Sequence, residues 1–349
     1  MKEQKIDALL ISSIPNIIYI TEYNGFSPTE REAYLFVVKR KAFLIVSALH
    51  VEEARQLAKN VTVLERTAKY PFRQILQDLI KKHAVVDCGF EDDSLTVAEF
   101  NALSPAFKKL NPADLSNLRL IKTTDEINSI KKACTLGDKS YSHILKKIRI
   151  GMTEKEVSLT LEMFIRKQGH EISFPPVVAF EEYAAVPHHN SGNRKLKNNS
   201  LVLIDFGTKV ENYCSDMTRV FFVGKATAEQ KKAYNTVVAA QQKAVKYIEK
   251  MLAKKEKPIA TIVDSTARNY TVANGYPPFN HSSHGIGLEV HENPHISSSR
   301  APLENGTVFS IEPGIYLPGK FGVRIEDIYA IVDNKLVTLT HSPTELIEI

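Results

Sequence analysis

The chain has 349 residues, 43% of them hydrophobic and 24% charged, and its 45 basic and 40 acidic side chains leave a net charge of +5 at pH 7. That length holds two ordinary domains, and that composition excludes a disordered or fibrous chain. The small basic excess is spread along the sequence without a run of like charges, which argues against nucleic-acid binding, and no stretch approaches the ~18 apolar residues of a membrane span or forms a signal peptide.

Residues 1–121 are expected to form a smaller α/β domain. Strands are predicted at 7–12 and 17–21, separated by a turn at Pro15-Asn16, and again on either side of the charged Lys39-Arg40-Lys41 tip. Residues 50–60 and 71–82 have helical apolar spacing, and 84–90 reads as a buried strand. Thr96 followed by Glu99 is a capping box for one more helix. A second domain is expected over 122–349. Asp125 is predicted to cap a long amphipathic helix reaching about Lys147, and Thr153 with Glu156 announces the next, which stops at Gly169. From Phe174 onward strands dominate, apart from a helical stretch over 228–274 interrupted at Pro258. Cys88, Cys134 and Cys214 are odd in number and lack C-x-x-C spacing, so a reducing, cytoplasmic setting is expected rather than a disulfide framework.

Chemistry concentrates in the second domain. The stretch LVLIDFGTKVENYCSDMTRVFFV (201–223) reads as two apolar strands with an acid inside each. An unpaired buried carboxylate costs several kcal/mol or loses its charge, so Asp205 and Asp216 need a partner. A turn centred between Val210 and Glu211 would set them directly opposite each other, where like charges repel unless a cation lies between them. Later, FSIEPGIYLPGKFGVRIEDIYAIV (309–332) has a turn signal at Gly319 that would set Glu312 opposite Glu326. Between the hairpins, FNHSSHGIGLEVHENP carries three histidines, His281, His284 and His291. One histidine among four acids is an oxygen-rich ligand set that suits manganese, cobalt or ferrous iron better than structural zinc. Four carboxylates balance two divalent ions, the arrangement of a two-metal hydrolytic site.

The ordered set LIDFG, SDMTR, HGIGLEVHE, SIEPGIY and VRIED resembles the Xaa-Pro aminopeptidases and Xaa-Pro dipeptidases (prolidases). These are dinuclear metallopeptidases with a pita-bread catalytic fold, a curved antiparallel sheet covered by helices. Residues 1–121 resemble the family's creatinase-like amino-terminal domain. The resemblance implies two divalent ions per chain, manganese first, then cobalt, with zinc or ferrous iron as alternatives. It implies that Asp205, Asp216, His284, Glu312 and Glu326 are the ligands, with Asp216 and Glu326 shared. It makes Glu312 the proton shuttle, places His188 and His291 against the substrate near the scissile bond, and has Arg324 orient the shared carboxylates.

Two stretches depart from the family pattern. Asn280 stands where a substrate-contacting histidine is usual, so that His281 takes up that contact or the contact is altered, and Ser283 replaces a glycine. Glu181, Glu182 and Tyr183 replace a glycine-containing stretch at the pocket entrance. The expected partners are a proline-containing peptide and a second copy of the chain, with no nucleic acid or membrane. The alternatives are an aminopeptidase P acting on longer peptides and a non-catalytic binding module on the same fold.

Overall fold

The computed structural model describes residues 6–27, 30–279 and 283–349. The chain divides into two compact units, Met1–Leu115 and Ser116–Ile349.

In the first unit β1 (Ala8–Ile11), β2 (Ala33–Val38), β3 (Lys41–Ser47), β4 (Thr62–Arg66), β5 (Asp87–Phe90) and β6 (Lys109–Pro112) form one mixed sheet in the order β4-β3-β2-β1-β5-β6. Its middle strands serve two cores at once. Leu10, Phe36 and Ile45 enter one, while Leu9, Leu35 and Leu44 enter the other. A sheet covered on both faces needs such unbroken apolar runs. The edge strands β4 and β6 bury little, so no apolar pattern announces them.

The helices α2 (Val51–Leu57), α3 (Phe72–His83) and α4 (Val97–Leu103) lie where their spacing puts them. The expected strand at 17–21 is instead part of a helix, α1 (Ile14–Thr21). Pro15 occupies its first turn, where a fixed φ and a missing N–H cost nothing. Glu91, buried across the sheet, then accepts the Ser13 backbone N–H at 2.8 Å and the Asn16 amide at 2.6 Å. This tertiary partner overrides the β preference of the isoleucines.

The second unit opens with α5 (Thr124–Lys147) and α6 (Glu154–Lys167). Thr123, not Asp125, caps α5. Its side chain accepts from the Glu126 N–H, and the Glu126 carboxylate accepts the Thr123 N–H at 2.8 Å. Asp125 lies inside the first turn, where its charge complements the helix dipole. The strands β7 (Glu171–Ile172), β8 (Val177–Phe180), β9 (Ser200–Phe206), β10 (Thr208–Val210), β11 (Tyr213–Cys214) and β12 (Met217–Val223) form two antiparallel sheets, β12-β9-β8 and β11-β10-β7. The helices α7 (Ala228–Ala253) and α8 (Ala260–Ala273) follow on either side of Pro258.

Last come β13 (His284–Gly285), β14 (Glu292–His295), β15 (Val308–Ile311), β16 (Gly314–Leu317), β17 (Phe321–Arg324), β18 (Asp327–Val332) and β19 (Lys335–Thr338). Five of these form a sheet, β14-β13-β15-β18-β19, while β16 and β17 form a hairpin. Tyr141, Ile144, Val157 and Leu161 of α5 and α6 pack against Val202, Ile204 and Phe221. Ala240, Ala244, Val263 and Ala267 of α7 and α8 pack against Phe309, Ile311 and Ile331. Helices therefore line both strand systems of this unit. Among the described residues no helix is long and apolar enough to cross a membrane.

Candidate metal centre

The two acid-bearing hairpins meet at one buried place. In the second, β16 and β17 turn about Gly319, and the register that pairs Gly314 with Arg324 continues through β15 and β18, pairing Ile311 with Asp327. Glu312 and Glu326 thus face each other, as the turn signal implied. They occupy the gap between the two ladders, where Pro313 has no N–H to offer. The Glu326 N–H turns away to the Thr218 carbonyl at 3.1 Å, which ties this hairpin to β12.

The first hairpin differs from expectation. Its turn is Glu211-Asn212, both with positive φ, and Asp205 pairs with Thr218, two residues beyond Asp216. The Glu-Asn pair supplies a mirror-image turn that suits the strand twist, and this moves the register by two. Gly207 lies where the chains cross, and any Cβ there would come 1.9 Å from the Ser215 carbonyl oxygen. Asp216 sits just before β12, diagonal to Asp205 and still within reach of it.

The ligand atoms form three overlapping triads among the described residues, Asp205–Asp216–Glu326, His284–Glu312–Glu326 and Asp216–His284–His291, each within 4.8 Å. His284 Nε2 lies 3.4 Å from Glu312 Oε1, 3.7 Å from Asp216 Oδ2 and 3.9 Å from Glu326 Oε1. Its Nδ1 lies 3.1 Å from the Gly285 carbonyl. A carbonyl can only accept, so Nδ1 carries the hydrogen and Nε2 presents a lone pair to the acids, the tautomer a metal ligand needs.

Charge in this cluster is poorly compensated. Burial, followed by the charges of Glu326, Asp205 and Glu312, pushes the Asp216 carboxyl well above its ordinary range. Glu312 is raised for the same reason, by burial and then by Glu326. Glu326 is pushed up to about 8, by burial and then by Asp205. Burial also pulls His284 down to about 3, so it stays neutral. The cation at hand is Arg324, which reaches Asp205 Oδ2 through Nη2, Thr218 Oγ1 through Nε at 2.8 Å, and the Tyr316 hydroxyl at 2.8 Å.

Three buried oxygens, Asp205 Oδ1, Asp216 Oδ1 and Glu326 Oε1, have no hydrogen-bond partner. Buried polar atoms are seldom left so. Orphaned carboxylate oxygens beside a neutral imidazole fit divalent cations.

Hydroxyl groups, two of which the sequence did not single out, hold these acids in place. Thr218 accepts from Arg324 and donates to Glu326 Oε2 at 2.7 Å. Ser310 accepts the His284 backbone N–H at 3.0 Å and donates to Glu312 Oε1 at 2.8 Å. Ser283 accepts the Glu312 N–H at 3.2 Å, so the residue in place of the glycine braces the second triad. Two of the three stand in the quoted motifs, as the Thr of SDMTR and the Ser of SIEPG, where alternation marks them as strand filler.

Of the remaining expected residues, His291 is exposed, with its ring 4.2 Å from that of His284 and edge-on to it. His188 is exposed, whereas its neighbour His189 is bound to Glu154 at 2.9 Å. His281 and Asn280 lie outside the described residues. Glu181 accepts the Leu201 N–H at 2.7 Å, Glu182 pairs with Arg194, and Tyr183 stacks on His189. These three contacts anchor the segment to β9 and its surroundings.

The model of metallopeptidase family M24 matches residues 128–333, and that of the creatinase/prolidase N-terminal domain matches residues 1–127. A Xaa-Pro dipeptidase of Pyrococcus horikoshii is 34% identical over 99% of this chain and 96% of its own. The solved structure of a Xaa-Pro dipeptidase from Bacillus anthracis superposes with a TM-score of 0.91 at 33% identity, over 100% of this chain and 96% of that one. That of an X-Pro aminopeptidase from Thermotoga maritima superposes with a TM-score of 0.87 at 30% identity, over 99% and 98%.

Proposed function

Because the chain belongs to metallopeptidase family M24, with its pita-bread catalytic fold and creatinase-like amino-terminal domain, and is a peptidase, we propose that it is a two-metal exopeptidase cleaving Xaa-Pro dipeptides. The observation that carries this reading is the convergence of four carboxylates and one neutral histidine around three orphaned oxygens.

Asp205, Asp216 and Glu326 would hold one divalent ion, and His284 and Glu312 would complete the site of a second that shares Asp216 and Glu326. Manganese is the proposed metal, with cobalt next. When bound, such a pair supplies a hydroxide nucleophile at neutral pH and polarises the scissile carbonyl.

The chain's own groups supply the rest. A proline amide has no N–H, and its nitrogen must gain a proton before it can leave. Glu312 is the group placed to deliver it. Ser310 fixes Oε1 as an acceptor, so the transferable proton belongs on Oε2. His291 would contact the substrate near the scissile bond, and His188 would steady the carbonyl oxygen or the tetrahedral intermediate. Arg324, by holding Asp205 directly and Glu326 through Thr218, keeps the shared ligands aligned. The working form is a cytoplasmic homodimer in this reading, and the three buried free thiols fit a reducing compartment.

Hydrolysis of Ala-Pro beside Ala-Pro-Ala by chelator-stripped protein refilled with manganese tests the assignment. Faster cleavage of the dipeptide is expected. Comparable or faster cleavage of the tripeptide would make the chain an aminopeptidase P, and silence on both despite bound metal would overturn the reading.

A further inference from the structure

A buried cluster of charges outside the acid–histidine centre has no part in the chemistry above. Glu292 opens β14, immediately after His291, and its side chain is 6% exposed. Its carboxylate lies between two cations. Lys122 Nζ is 2.7 Å from Oε1, off the hydrogen-bonding direction, and Arg119 Nε is 3.2 Å from Oε2. Arg119 also pairs with Glu289, through Nη2, at the other end of the same loop. The Lys122 side chain is only 1% exposed. Its backbone is anchored in turn, because the Lys122 N–H donates to the Gly306 carbonyl at 2.8 Å.

This cluster closes the segment that carries His291. The Gly287 N–H reaches the Glu289 carbonyl at 3.0 Å, and the Gly287 carbonyl accepts the Cys214 N–H at 2.7 Å. A Cβ on Gly287 would come 2.3 Å from Glu292 Oε1, so the carboxylate fills the space inside the loop and would have to move to admit a side chain there. Both ends of the loop are therefore held by the short segment before α5, through two arginine contacts and one lysine contact. Burying the charges of Glu292, Lys122 and Arg119 is costly, and replacing such a cluster with apolar groups is often no worse for stability. A buried ionic cluster is retained more readily where one specific geometry matters. The geometry set here is that of His291, one peptide away, whose ring stands edge-on to His284.

We propose that Glu292, clamped by Lys122 and Arg119, is a positioning residue that fixes His291 over the substrate. The proposal rests on the reading of His291 as a substrate contact. Glu292 does not touch the substrate and acts through the neighbouring ring. A displacement of about 1 Å in a catalytic group is enough to cost up to a hundredfold in rate.

A double-mutant cycle tests this with H291A, E292Q, K122M and both pairs that include H291A, all as full-length, manganese-loaded protein. Steady-state constants on Ala-Pro, metal per chain and melting temperature are read on the same preparations. E292Q and K122M are each expected to lower kcat about tenfold or more with two metals retained, and K122R to restore most of it. In the H291A background neither substitution should lower kcat further. Losses that multiply on top of H291A, or that follow metal occupancy or folded fraction, would make the cluster a structural device and overturn the proposal. An H291A protein with unchanged kcat would instead show that the reading of His291 had failed, and the positioning role with it. Should E292Q fail to fold, the K122M and K122R pair decides by the same criteria.

Discussion

Replacing Glu326 by Gln should abolish metal binding and yet stabilise the metal-free protein at alkaline pH. In the metal-free fold Glu326 is raised from the ordinary glutamate value of 4.5 to about 8, by burial and then by Asp205. A carboxyl whose folded value is raised contributes stability that is complete below pH 4.5 and is lost as the pH rises through about 8. At 1.36 kcal/mol per pH unit, the full loss approaches about 5 kcal/mol by pH 8. Asp216 and Glu312 share the same space and retain protons of their own, so about 2–3 kcal/mol is the figure to expect for Glu326 alone. Gln carries no charge to desolvate and keeps an oxygen for the Thr218 hydroxyl. Urea unfolding in chelator, at pH 5 and pH 8, should show the wild type losing stability relative to E326Q as the pH rises. E326Q less stable than wild type at pH 8, or a difference that does not change with pH, would refute the electrostatic account of the centre.

Metal binding at pH 7 should release protons, because the raised carboxyls must ionise to coordinate. Manganese affinity should therefore climb as the pH rises through about 8, where Glu326 ionises, as calorimetry in buffers of differing ionisation enthalpy would register. Thr218→Val removes the one hydroxyl shared by Arg324 and Glu326, and should weaken metal affinity by about 10–100-fold with the fold intact. Titration of the chelated protein followed by metal analysis checks this. An unchanged affinity would detach Thr218 from the site.

The sequence exposed the site more fully than the path the backbone takes to it. Glu312 and Glu326 face each other as the sequence implies, because Gly319, between Pro318 and Lys320, is a plain turn signal. Asp205 and Asp216 lie near each other in a register two residues from the one their spacing suggests, because the Glu211-Asn212 turn has no glycine to mark it. Residues 17–21 read as a strand because the decisive partner of α1 is distant in sequence, Glu91 lying 78 residues from Ser13. Asp125 and Thr123 are both cap-type residues, and the reciprocal bond with Glu126 selects the threonine. The hydroxyls of Thr218 and Ser310 carry no sequence signal of their own, and Ser283 is marked only as a replaced glycine. Their role exists only once two hairpins and one loop converge.

The measurement closest to the central claim is manganese bound per chain against Ala-Pro turnover, titrated from fully chelated protein, with D216N alongside. The account predicts activity that plateaus at two ions per chain, and D216N that binds metal weakly and does not turn over. Full activity without metal, or D216N with wild-type turnover, would contradict it.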